Sequence, residues 1–231
     1  MNAQDMIERW QRIQEQISQA ASRCGRSPDE VSLVAVSKTH PPEAVSALAA
    51  AGHRDFGENY VQEAMDKQQA VPNPEIRWHF IGRLQTNKAK FLAGRYHLIH
   101  SLDREKMARA LHRKCLERQV VQPVLVQVDV GREEQKGGLP EEEALGFCRL
   151  LTELEGLDLQ GLMCMPPFFD SGDRARPFFA RLRELRDVLS RQLGRSLPHL
   201  SMGMSGDFPA AIAEGATLVR IGTSIFGPRE D

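Results

Sequence analysis

An excess of charge of either sign is missing from this sequence: 30 Lys and Arg stand against 31 Asp and Glu, a formal net charge of -1. That balance excludes the basic footprint of a dedicated nucleic-acid binder and points to small molecules or proteins as partners. Any apolar run approaching the length that crosses a bilayer is also missing. The opening MNAQDMIERWQRIQEQ is polar and lacks the apolar centre of a secretion signal. A cytoplasmic protein without membrane contact is the expectation. Cys24, Cys115, Cys148 and Cys164 are far apart, form no CxxC pair and have no histidine at metal-ligand spacing. Neither a zinc site nor a disulfide framework is expected, and the thiols read as reduced and mostly buried. With no internal repeat, low-complexity tract or Gly-, Ser- or Pro-rich linker, the chain reads as one domain, 1–231, a length that suits a single α/β barrel.

What is present is alternation. Met6, Trp10, Ile13 and Ile17 share one helical face and Gly25 follows as a stop, so a helix precedes the first strand. The apolar run 33–36 reads as a strand, and Pro41 and Pro42 then open an Ala-rich helix that ends near Gly52. Further strand candidates follow at 55–56, 77–81, 98–101, 124–129, 159–163, 199–201 and 218–221. Between them, Met107, Leu111 and Cys115, and Phe178, Leu182, Leu185 and Leu189, carry the three- and four-residue spacing of helices packed on a sheet. Eight βα units predict a (β/α)8 barrel, a TIM barrel with an extra N-terminal helix and its site at the C-terminal ends of the strands. The second strand is the weakest, and a doubly wound open sheet is the alternative.

Polar groups stand where the strands stop. Lys38 follows Leu33-Val34-Ala35-Val36 after one serine. A partly desolvated lysine at a barrel mouth has a lowered pKa and forms an imine with an aldehyde, whereas the commoner reading of a strand-ending lysine is a solvated one. The loops after strands seven and eight, Ser201 to Asp207 and Arg220 to Ser224, are the usual phosphate site of such barrels. Gly203, Gly206 and Gly222 permit close backbone approach there, and Ser201, Ser205, Thr223 and Ser224 supply hydroxyls; ordinary capped turns are the bland alternative. His79 reads either as an inward residue lining a ligand or as a satisfied core histidine, and Asn59 either as a ligand contact or as a helix cap. The basic helix from Arg174 to Arg195 reads as a solvated face, and Met163-Cys164-Met165 as packing under the site.

At these residues the sequence resembles the YggS/PROSC family of pyridoxal phosphate homeostasis proteins, whose fold is similar to the N-terminal barrel of alanine racemase (fold type III among pyridoxal-phosphate proteins). The resemblance covers essentially the whole chain through Ala35-Val36-Ser37-Lys38-Thr39, Phe56-Gly57-Glu58-Asn59-Tyr60, Trp78-His79-Phe80-Ile81-Gly82, Gly161-Leu162-Met163, Ser201-Met202-Gly203-Met204-Ser205, and Val219-Arg220-Ile221-Gly222-Thr223. It implies pyridoxal 5′-phosphate (PLP) as cofactor, held as a Schiff base on Lys38, with Ser205, Gly222 and Thr223 at the phosphate and Arg220 beside the pyridine nitrogen. Asn59, His79, Ser201 and Met204 are implied neighbours. The segment Glu134-Gln135-Lys136-Gly137-Gly138 departs from the family, whose members often carry a serine after the lysine.

An arginine at the ring nitrogen makes the cofactor a weaker electron sink than a carboxylic acid partner would. Resembling racemases also place a tyrosine from another domain or subunit on the cofactor, and this chain has only Tyr60 and Tyr96. The expectation is a cofactor carrier or buffer without turnover, a monomer whose partners are PLP, related B6 vitamers and PLP-dependent apoenzymes. An amino-acid racemase and a cofactor-free barrel isomerase are the alternatives.

Overall fold

In the computed structural model, residues 2–132, 137–167, 169 and 172–227 are described. Residues 133–136, which include the first three of the segment that departs from the family, lie outside them. The chain opens with helix α1 (Ala3–Arg23), capped by the Asn2 side chain accepting from Gln4 N–H. Strand and helix then alternate: β1 (Ser32–Val36), α2 (Pro42–Ala50), β2 (Asp55–Glu58), α3 (Val61–Ala70), β3 (Arg77–Phe80), α4 (Ala89–Leu92), β4 (Leu98–Leu102) and α5 (Glu105–Glu117). The second half continues as β5 (Gln122–Gln127), α6 (Ala144–Glu153), β6 (Leu157–Met163), α7 (Arg176–Leu193), β7 (His199–Ser201), α8 (Phe208–Ala213), β8 (Leu218–Ile221) and α9 (Thr223–Phe226).

All eight strands are parallel and close in chain order. The seam is the pairing of β1 with β8, Ser32 opposite Leu218 and Val34 opposite Arg220. That pairing excludes the open sheet, which has free edges. β2 is longer than its sequence suggests because it is held on both sides: Ala35 and Val36 pair with Phe56 and Gly57, and β3 pairs at four positions. Gly57 is required inside the ring, since a Cβ there would lie 2.9 Å from Val34 Cγ1.

Alternate strand residues point inward. Val34, Leu98, Leu125, Met163 and Leu218 form an apolar plug within the barrel, separate from the larger core between strands and helices. On α5, Met107, Leu111 and Cys115 are buried as the spacing predicts. On α7 the buried stripe is Phe179, Leu182 and Leu189, with Phe178 and Leu185 half-covered. The basic residues of that helix are largely neutralised by the fold: Arg176 and Arg183 grip Glu214, Arg181 meets Glu141, and Arg195, just past the helix, meets Asp158. Among the described residues no helix is long and apolar enough to cross a membrane, and no cluster of side chains has the makings of a metal site. Cys115, Cys148 and Cys164 are buried free thiols and Cys24 is exposed.

α1 lies across α2, α8 and α9 with Met6, Ile13 and Ile17 buried. Beneath it, His53 is enclosed by Trp10 and Phe56 and donates from Nε2 to Asp55 O at 2.8 Å. Burial outweighs that bond and lowers the His53 pKa to about 4. An unfolded chain takes up the proton near pH 6.5, so stability is full above that pH and falls as pH drops toward 4, by about 3 kcal/mol in all. Urea midpoints are expected to decline across this interval in wild type and less steeply in His53→Gln, whose amide keeps the donor; equal slopes would refute the assignment.

Candidate functional site

The barrel mouth is organised around the three residues that leave β1. Ser37 is fully buried, Lys38 half-buried and Thr39 exposed, with Thr39 in the left-handed region at φ 65°. A non-glycine residue there costs of order 1 kcal/mol and persists only where its surroundings hold it. The holding groups are charged and mostly buried. Lys67 Nζ, on α3, donates to Ser37 O at 2.6 Å, to Glu58 Oε1 at 2.8 Å and to Glu63 Oε1 at 2.6 Å. The Ser37 hydroxyl donates to Glu58 Oε1 at 2.6 Å, and Glu63 Oε1 accepts the Thr39 N–H at 2.5 Å. Both neighbours of Lys38 are thus tied to one cluster. Burial raises the Glu58 carboxyl above its ordinary range despite the Lys67 ammonium.

Lys38 opens onto a cavity of about 350 Å³, within the ~300–1,000 Å³ typical of small-molecule sites. Its wall includes Asn59 after β2, Arg220 on β8, Gly222 and Thr223 after β8, and Met204, Ser205 and Asp207 after β7. Asp207 shapes that last loop by accepting the Met204 N–H at 2.6 Å, while Met204 O accepts from Asp207 and Phe208. Thr223 opens the short helix α9, whose first N–H groups have no acceptor within the helix. Met165 and Phe169 supply apolar cover. A hollow of about 460 Å³ lined by Arg83, Gln85 and Lys88 is larger, but it has no amine facing loops of this kind.

Two expected contacts are not on this wall. His79 and Ser201 are fully buried and outside the cavity lining, His79 two residues before Ile81, which is on it. His79 is hydrogen-bonded in the interior, with Asp55 on one nitrogen and His100 on the other. Ser201 lies under Arg220, whose Nη1 donates to its hydroxyl at 2.6 Å; Arg220 Nη2 donates to Cys164 O at 2.9 Å. Burial lowers the pKa of the Arg220 guanidinium, which stays charged because its ordinary value is so high. Glu58, Glu63, Lys67, Asp55 and His100 were not singled out from the sequence. The available signal was Lys67, which shares the buried face of α3 with Ala64.

The donor set suits a planar aldehyde with an anionic tail: an amine, a guanidinium, two hydroxyls and a helix start converge on one cavity. Asn59 Oδ1 is buried and has no hydrogen-bond partner, an acceptor of the kind a ring hydroxyl satisfies. Gly82 keeps Asn59 in place, since a Cβ on Gly82 would come within 2.0 Å of Asn59 O. Gly82→Ala is expected to displace the Asn59 backbone, destabilising the protein by about 1–3 kcal/mol through overpacking and weakening ligand binding at the cavity. Unchanged melting and binding would refute the contact.

Residues 9–230 match the family described as alanine racemase, N-terminal domain. The pyridoxal phosphate homeostasis protein of Aquifex aeolicus is 46% identical over the whole of both chains. That of Escherichia coli K12 is 39% identical, covering 98% of this chain and 97% of the relative. Among solved structures, PipY of Synechococcus elongatus PCC7942 with PLP bound is 36% identical with a TM-score of 0.82, over 91% of this chain and all of PipY. An alanine racemase of Clostridium difficile 630 is 15% identical with a TM-score of 0.72, over 87% of this chain and 53% of the racemase, a likeness of fold alone.

Proposed function

The chain belongs to the alanine racemase N-terminal domain family, among its pyridoxal phosphate homeostasis proteins, and from that premise we propose that it holds PLP at the barrel mouth and hands it on without turnover. Bound there, PLP supplies an aldehyde that condenses with the Lys38 amine as a Schiff base. Ser205, Gly222 and Thr223 receive the phosphate, Arg220 faces the pyridine nitrogen, and Asn59 and Met204 border the ring. Ser201 and His79 act from beneath. The observation that carries the reading is the convergence of Lys38, Arg220 and the two loop hydroxyls on one cavity, whose lining residue Asn59 keeps a buried side-chain oxygen without a partner.

Arg220 also argues for holding over catalysis. A guanidinium donates to the ring nitrogen and does not protonate it, so charge developing on the ligand is poorly absorbed. The protein acts as a carrier, a monomeric single-domain barrel in the cytoplasm that exchanges PLP and related B6 vitamers with PLP-dependent apoenzymes. Borohydride reduction of the PLP-treated protein, followed by peptide mass mapping, is expected to put one pyridoxyl group on Lys38. An adduct at another lysine, or none, overturns the proposal. The racemase alternative predicts exchange of amino-acid α-protons in deuterated buffer, and none is expected from the fully loaded protein.

A further inference from the structure

The barrel interior below the cavity contains an unbroken line of polar side chains. Arg77 pairs through Nε and Nη2 with Asp55 at 2.7 and 2.5 Å. Asp55 Oδ1 meets His79 Nε2 at 3.0 Å, His79 Nδ1 meets His100 Nε2 at 2.9 Å, and His100 Nδ1 meets Ser201 Oγ at 2.7 Å. Ser201 Oγ then accepts from Arg220 on the cavity wall. β2, β3, β4, β7 and β8 each contribute at least one member, and His79, His100 and Ser201 are all buried.

The protons in this line can be counted. Burial works to raise the Asp55 carboxyl, but hydrogen bonds from His79 and Arg77 outweigh it and keep the group well below the usual carboxylate range. Asp55 is therefore an acceptor, and His79 Nε2 carries a hydrogen. Burial, with the Arg220 charge close by, holds His100 neutral with a single N–H. With Nδ1 of His100 accepting from Ser201, that N–H is on Nε2 of His100 and is directed to His79 Nδ1. Arg220 only donates, so the Ser201 oxygen receives its N–H and the Ser201 hydroxyl hydrogen goes to His100 Nδ1. One direction, Arg220 to Ser201 to His100 to His79 to Asp55, satisfies every member.

We propose that His100 is a positioning residue for Arg220: by drawing off the Ser201 hydroxyl hydrogen, it turns a Ser201 lone pair to the guanidinium and fixes its plane at the cavity wall. The Cys164 carbonyl holds one end of the guanidinium, and the second contact removes the remaining rotation. Filling the interior does not require imidazole, since Leu98 does so from the same strand. On the reading given under Proposed function, on which this inference rests, the fixed plane is the one that meets the ring nitrogen of PLP.

The test compares His100→Asn, His100→Gln and Ser201→Ala with wild type. Asparagine places its amide oxygen where His Nδ1 stood and preserves the link to Ser201, whereas glutamine reaches the Nε2 position and preserves only the link to His79. PLP affinity in Ser201→Ala and His100→Gln is expected to fall about tenfold, the weight of a hydrogen bond to a charged group, with the same change in the pH dependence of the visible band of bound PLP. His100→Asn is expected to stay close to wild type in both. Equal impairment of the Asn and Gln variants, or wild-type binding and spectrum in Ser201→Ala, overturns the proposal. Crystal structures of wild type and His100→Gln without ligand give a readout independent of PLP: the Arg220–Ser201 contact is expected to be lost in the variant, and its retention refutes the role. If wild type takes up no PLP, the functional reading fails while the Arg220 position still decides this one.

Discussion

Lys38→Ala is expected to remain colourless after mixing with PLP and gel filtration, and to yield no borohydride-stable adduct. Its melting temperature is expected to stay near that of wild type, because Lys38 is half-buried at the mouth and outside the core. Lys38→Arg gives the sharper contrast. It keeps a cation for the phosphate but has no amine that condenses with a carbonyl, so it is expected to retain weak binding with no visible band. A yellow Lys38→Arg protein would mean that charge attraction, and not carbonyl chemistry at this position, holds the ligand.

Lys67→Met has the largest expected effect on stability. The ammonium is 3% exposed and serves Ser37 O, Glu58 and Glu63 together. Glu58 Oε2 already has no partner. Removing one member of a buried pair costs about 3–5 kcal/mol, because the partner charge is left uncompensated. In a chain of this size that lowers the melting temperature by roughly 10 °C. The double variant Lys67→Met/Glu58→Gln is expected to recover part of the loss, since the stranded charge is gone. PLP affinity should fall in the single variant too, because Ser37 and Thr39 lose ties that aim Lys38. An unchanged denaturation midpoint in Lys67→Met would show the cluster to be incidental.

The parts of the molecule legible in the sequence are those carried by local pattern. Lys38, Asn59, Ser205 and Gly222 stand at or just past strand ends, and a barrel puts such positions on one rim, so their meeting follows from eight βα units. Depth is less legible. His79 is inward as alternation requires, but whether an inward residue lines a cavity or sits below it depends on where the chain after it meets the mouth, here at Ile81. Cross-strand pairing is not encoded locally either. His100 meets His79 and Ser201 only because β3 adjoins β4 and the ring brings β7 within reach across the interior, and no spacing within one strand records that. Glu58 faces the other way, between β2 and α3, where a charge on an amphipathic helix is ordinarily read as solvated. The charged cluster behind Lys38 was therefore invisible until strand and helix were brought together.

The seam between β1 and β8 governs the order in which the protein can assemble. As the polypeptide leaves the ribosome, β1 emerges early but must wait for nearly the entire remainder of the molecule before its second edge is covered. Lys38 flanks one side of that joint and Arg220, Gly222 and Thr223 the other. On the reading proposed above, a nascent fragment has no complete vitamin site, and saturation with the vitamin is expected to favour the sealed cylinder over any form that gapes there. Occupancy is then expected to protect the newest and oldest stretches of backbone at once, so that resistance to added protease should rise with the concentration of the compound.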